Sequence, residues 1–320
     1  MPLALAVHGG AGPAPAPERE EALRAGVAAA ARAGHAVLLA GGGALAAVEA
    51  AVVALEDDPH FNAGRGSALS ADGTVAMDAA IADGTTGAAG AVAAVRDVRN
   101  PVRAARAVLA DGRAVLLVGD GASRFAEEQG LERRPPAWFV TDEARARLER
   151  TRAPAPPPGT GGTVGAVALD GAGRIAAATS TGGRPAKPPG RVGDSPLLGA
   201  GTWAAAETAA VSCTGDGEPI IRAAVAHEVD ALMRHAGLPL AEAAERALAG
   251  MARHDGTGGL IAVDAAGALA LPFTTGAMSR AWVTPDGTVL AAVGPEPASR
   301  VPGSSAAADR SFDRGGRRTP

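Results

Sequence analysis

Thr163 sits where the stretch APAPPPGTGG gives way to the apolar run TVGAVAL. A threonine hydroxyl is a weak nucleophile, but it becomes a useful one when its residue begins a chain and its own amine serves as the base. Gly162 lacks a Cβ and can adopt a strained backbone that lets the Thr163 hydroxyl approach the preceding carbonyl. Attack there shifts the acyl group from nitrogen to oxygen. Hydrolysis of the ester then exposes an amine with an ordinary pKa of ~7.7–8.0, suited to general-base work. Gly-Gly-Thr is equally the start of an ordinary strand. Further along, Arg191 and Asp194 stand three apart in GRVGDSP. A guanidinium fork and a carboxylate held together suit the α-carboxylate and α-ammonium of a free amino acid or a peptide N-terminal residue. The same spacing also describes a surface ion pair. Thr214-Gly215-Asp216-Gly217 offers a hydroxyl and backbone N–H groups, the ingredients of an oxyanion hole or of a plain turn.

Other chemistries lack their residues. Gly119-Asp120-Gly121 has Arg124 in place of a third glycine, which argues against a dinucleotide loop. No Gly-x-Ser-x-Gly elbow occurs, and the six histidines show no metal-ligand spacing, so no catalytic metal or other catalytic cofactor is expected. Lys187 is the sole lysine and tyrosine is absent, which leaves no phosphate-loop lysine and no phenolic base. Thirty basic against 34 acidic residues, with no basic run, gives no footprint for nucleic acid or an anionic membrane. One cysteine, Cys213, cannot pair within the chain, and the start MPLALAVHGGAG is too short in apolar residues for a signal or a span; a cytoplasmic protein is expected.

The elements that must position these residues follow from periodicity. Leu3 to Val7 reads as a buried strand running into a glycine turn at HGGAG, residues 18–40 and 44–58 as two helices, and 61–84 as a glycine-rich loop followed by a strand. Ala88 to Val95 and Ala114 to Val118 read as strands. Pro101 to Ala110, capped by Asn100, and residues 120–130 read as helices. From Gln129 to Gly162 the chain mixes charge and proline over far more than the ~12–15 residues of an ordinary loop, so residues 130–162 are expected to be a mobile linker. TVGAVAL and RIAAATST form a hairpin whose far end returns beside Thr163, with Thr179 and Thr181 on one face. A strand at 209–213, a helix from 219 to 235, another from 240 to 249 and a hairpin at 260–271 follow; residues from about 296 to 320 read as a disordered tail. The 47% apolar content supports a substantial core, and aromatics at only 2% point to tightly layered small residues.

In order and spacing, HGGAG, FNAGRG (61–66), GTVGAVALD (162–170), TSTGG (179–183), PGRVGDSP (189–196) and SCTGDGE (212–218) resemble the plant-type L-asparaginase and isoaspartyl peptidase family of N-terminal-nucleophile hydrolases. The resemblance covers almost the whole chain. It implies an α+β fold, a four-layer αββα sandwich, cut between Gly162 and Thr163 into an α chain (1–162) and a β chain (163–320), assembled as a heterotetramer of two of each. It implies Thr163 as nucleophile with Thr181 bonded beside it, Arg191 on the substrate carboxylate, Asp194 and the Gly217 carbonyl on the ammonium, and Thr214 and Gly215 on the oxyanion. Asn62 would support the site. A structural, non-catalytic sodium would be held by main-chain carbonyls of Leu55, Glu56, Asp58, Phe61, Ala63 and Arg65. Substrates would be L-asparagine and β-aspartyl dipeptides. A glycosylasparaginase-like amidase and an uncleaved amino-acid-binding protein are the alternatives. Asp216 departs from members with threonine at that place, which puts the dipeptide preference in question.

Overall fold

The computed structural model describes residues 2–152 and 162–295. Strand β1 (Ala4–Gly12) is followed by helices α1 (Pro17–Leu39) and α2 (Ala44–Asp57). Next come β2 (Met77–Asp83), β3 (Ala89–Val95), α3 (Pro101–Asp111), β4 (Leu116–Val118) and α4 (Gly119–Glu128). A 3-10 turn at Pro136–Phe139 leads into α5 (Asp142–Arg152). The second half holds β5 (Val164–Leu169), β6 (Ile175–Thr181), β7 (Thr202–Ala204) and β8 (Ala209–Gly215). It continues through α6 (Gly217–Ala223), α7 (Val225–Ala236), α8 (Leu240–Ala249), β9 (Gly258–Asp264), β10 (Leu269–Ala270), β11 (Ala277–Val283) and β12 (Val289–Ala292).

Eight strands form one sheet in the order β12-β11-β1-β5-β6-β2-β3-β4, and four form a second, β10-β9-β8-β7. Helices α1, α2 and α3 pack on one face of the large sheet, β8 and β9 lie against its other face, and α7 and α8 cover the small sheet. The central strands are therefore buried on both sides, which explains their unbroken apolar runs. Along β5 the period of two sends Val164, Ala166 and Ala168 toward the helices and Val167 and Leu169 toward the small sheet. Alanine-rich helices and strands let these layers approach closely.

Several expectations need correction. HGGAG is not a turn: β1 continues through it, with a register shift between His8 and Ala11. Asn100 precedes α3 but makes no side-chain capping bond; its Nδ2 donates to Asp57 instead. The helix expected at 219–235 is two helices, broken at Ala224, whose φ is +47°. Residues 130–152 are not a structureless linker: Phe139 is fully buried, its carbonyl accepts the Gly66 N–H, and Ala144 and Leu148 bury one face of α5. The rest of that linker up to residue 161, and the tail from 296 to 320, lie outside the described residues. Strand β11 was not expected, because Ser279 and Arg280 interrupt its apolar pattern. Arg280 is nonetheless buried, its Nη1 donating to the Met278 and Gly294 carbonyls and its guanidinium over the Phe273 ring.

Candidate active site

β5 and β6 pair antiparallel with Val164 opposite Ser180, which brings Thr163 beside Thr181. The Thr163 hydroxyl, almost fully buried, donates to Thr181 Oγ1 at 3.2 Å. Thr181 Oγ1 in turn donates to the Gly162 carbonyl at 3.1 Å and accepts the Gly183 N–H at 2.9 Å. Asn62 completes the grip: its Nδ2 lies 2.5 Å from the same Gly162 carbonyl and 2.6 Å from that of Gly183, while its Oδ1 accepts the Ala68 N–H. Two donors thus converge on the carbonyl that precedes the candidate nucleophile. Gly10, at φ +116°, runs alongside; a Cβ there would stand 3.1 Å from the Gly162 Cα, so only glycine lets β1 pass so close. Alternation along β6 sends Ser180 the other way, to Glu56 Oε1 at 2.6 Å.

His8 supports Thr163 from behind, a role the sequence did not reveal. Its Nδ1 bonds the Thr163 carbonyl at 2.9 Å, and since a carbonyl only accepts, Nδ1 carries the hydrogen. Nε2 therefore accepts from Ser212 Oγ at 2.9 Å, and Ser212 continues to Thr179 at 2.7 Å and on to Thr202. Burial pushes the His8 pKa down to about 3, against the raising effect of its bond to Thr163, so the ring is neutral at working pH. HGGAG marked the stretch, but nothing in the spacing could find partners 155 and 204 residues away.

Thr163, Thr181, Arg191, Asp194, Gly215 and Gly217 line a single cavity of about 740 Å³. Thr214 does not line it; it is buried beside it, its Oγ1 accepting the Ala11 N–H at 3.2 Å. Asp194 is the electrostatic centre. It is buried, its Oδ2 has no partner among the described residues, and burial drives its pKa up to about 7 against the opposing Arg191 charge. An unpaired buried carboxylate is costly unless a cation arrives. Gly217 keeps the space open: a Cβ there would lie 2.8 Å from Arg191 Nη2 and 2.9 Å from Asp194 Oδ1. Arg191 Nε holds Glu218 Oε1 at 3.0 Å, which leaves the tips of its fork for an incoming carboxylate. Glu218 was in the motif without an assigned part. The carboxylate of Asp216 is turned to Thr257, accepting from its N–H at 2.8 Å and its hydroxyl at 3.1 Å. Its charge is thereby tied at the rim.

The loop after α2 fits a hard cation held by carbonyls. The Glu56 and Asp58 carbonyls each accept one backbone N–H, from Arg65 and Phe61, and keep a second lone pair. Those of Pro59 and Phe61 crowd the place of a Gly66 Cβ at 2.6 and 2.7 Å, a cradle of oxygens that a side chain would fill.

A family model described as Asparaginase matches residues 1–291. Isoaspartyl peptidase of Escherichia coli (strain K12) is 46% identical over 294 residues, spanning 87% of this chain and 92% of that protein. The isoaspartyl peptidase/L-asparaginase of Mus musculus is 43% identical, covering 88% of each. That of Homo sapiens is 42% identical, covering 87% and 91%.

Proposed function

The chain belongs to the asparaginase family, and from that premise we propose that it hydrolyses the side-chain amide of L-asparagine and the β-aspartyl bond of isoaspartyl dipeptides, using a nucleophile that it first frees by cutting itself. One observation carries the reading: the Gly162 carbonyl is gripped by Asn62 and Thr181 while the Thr163 hydroxyl rests on Thr181.

In the first reaction Thr163 Oγ attacks the Gly162 carbonyl carbon. The developing oxyanion stays on Asn62 Nδ2 and Thr181 Oγ1. The C–N bond breaks, its nitrogen takes the proton, and water cleaves the resulting ester to a Gly162 carboxylate and a free Thr163 amine. His8 holds the Thr163 carbonyl throughout, so the new terminus keeps its place.

In turnover, Arg191 takes the substrate α-carboxylate, and Asp194 with the Gly217 carbonyl takes the ammonium. The Thr163 amine removes the proton from its own hydroxyl, Oγ attacks the β-carbonyl, and the oxyanion is met by Gly215 on the cavity wall, with the buried Thr214 hydroxyl behind it. Ammonia or an amino acid leaves with that proton, and water releases aspartate from the β-aspartyl ester. Asparagine and isoaspartyl peptides share one head and one β-carbonyl position, so a single site serves both.

The helix–sheet–sheet–helix stacking supports a four-layer αββα sandwich of the N-terminal-nucleophile type. An exposed apolar edge, Val115 with Leu116 and Val118 of β4, is the kind of surface that a partner covers, in keeping with two α and two β chains. A sodium ion would sit on the carbonyls of the loop from Leu55 to Arg65, where it would stiffen the segment carrying Asn62. No helix among the described residues is long and apolar enough to cross a membrane, and a cytoplasmic location is part of this reading.

Purified protein should run as two chains, the smaller beginning with Thr163, and release ammonia from asparagine. Thr163→Ala should stay one chain and release none. A wild-type preparation that stays one band and inert would establish the uncleaved binding protein instead.

A further inference from the structure

Resting on the reading of this same cavity, we propose that Arg184 docks the free α-carboxylate of the residue that leaves from a β-aspartyl peptide. The cavity holds far more than an amino-acid head and an amide, and its remaining wall includes Thr151, Arg184, Asp255, Thr274 and Thr275. Two cations line it, Arg184 and Arg191. Arg191 is committed to Glu218 and to the substrate head. Arg184 is exposed and makes no side-chain hydrogen bond or ion pair with the described residues, although its charge helps hold the Glu218 carboxyl below its usual range, after the larger effect of Arg191.

Reach is adequate. Gly183, the residue before Arg184, donates its N–H to the Thr181 hydroxyl, which itself meets the Thr163 hydroxyl. In a β-aspartyl peptide only the amide nitrogen and one Cα separate the attacked carbonyl from the leaving carboxylate, a span of ~4 Å. That carboxylate enters a cavity that also carries Asp216 and Asp255. Asp216 is tied to Thr257 and Arg191 is engaged by Glu218, so Arg184 is the cation of this cavity left to offset the repulsion on an incoming anion. Asparagine releases ammonia, which has no carboxylate and gains nothing from Arg184. Arg184 is thus a specificity residue for the dipeptide.

The test compares β-aspartyl-leucine, the same dipeptide as its C-terminal carboxamide, and asparagine, using wild type, Arg184→Gln and Arg184→Lys. Arg184→Gln should lower kcat/KM for the free dipeptide roughly two- to fivefold at low salt, an effect that fades as salt rises. The carboxamide and asparagine should be unchanged, Arg184→Lys should recover part of the loss, and wild type should prefer the free acid to the carboxamide. An equal change on all three substrates, or no change on the free dipeptide, would overturn the assignment, as would equal wild-type rates on acid and carboxamide. Failure of the underlying reading looks different: wild type would then turn over none of the three.

Discussion

Asp194 shows how a single residue sets the chemistry. Its carboxyl pKa is raised from 3.8 to about 7, so the ionised form is disfavoured in the folded protein, and the stability this group contributes below pH 3.8 is lost as pH rises toward 7. Binding an ammonium requires the ionised form. kcat/KM for asparagine should therefore rise with pH through about 7, whereas kcat at saturation follows the Thr163 amine near its ordinary ~7.7–8.0. Asp194→Asn should remove the lower limb and cost about 2 kcal/mol or more of transition-state binding, roughly thirtyfold in kcat/KM, while chain cleavage proceeds. A pH profile of the cleaved variant that kept the limb would assign it to another group. Arg191 and Asp194 were legible in the sequence because three residues on a Gly/Pro-shaped loop keep them close. Glu218 was not assigned, since its pairing with Arg191 spans 27 residues.

Among the elements, the β5–β6 hairpin was the most readable. Period-two apolar runs around Asp170-Gly171-Ala172-Gly173 set its register, and the register sets Thr163 beside Thr181. The segment before it is far less legible. Charge and proline made 130–162 resemble a linker, yet the 3-10 turn and α5 dock on the body through Phe139, Ala144 and Leu148. A few apolar side chains at the right places are enough to seat a polar helix, and composition averages them away. The Phe139 carbonyl also receives the Gly66 N–H of the loop that carries Asn62. Phe139→Ala should destabilise the protein by about 3–5 kcal/mol, read as a fall in unfolding midpoint. An unchanged midpoint would mean that this segment is not part of the cooperative core.

At the scale of the molecule, two sheets face each other and the site lies at their common end, with Thr163 and Thr181 from the large sheet and Gly215 from the small one. Native mass spectrometry of the purified protein should show two copies of each chain, and a mass of one α and one β would refute that assembly. The sequence by itself marked the candidate nucleophile, the proposed scissile bond and the candidate amino-acid clamp, and it determined the apolar runs of the central strands, because each depends on residue types within a few positions of one another. Only the tertiary structure decided which groups surround them. The His8–Ser212–Thr179 chain, the Asn62 grip on Gly162, the unpaired state of Asp194 and the turning of Asp216 toward Thr257 all join residues far apart in the chain. Burial and hydrogen bonding act through space, and that distance is fixed only when the two sheets close on each other.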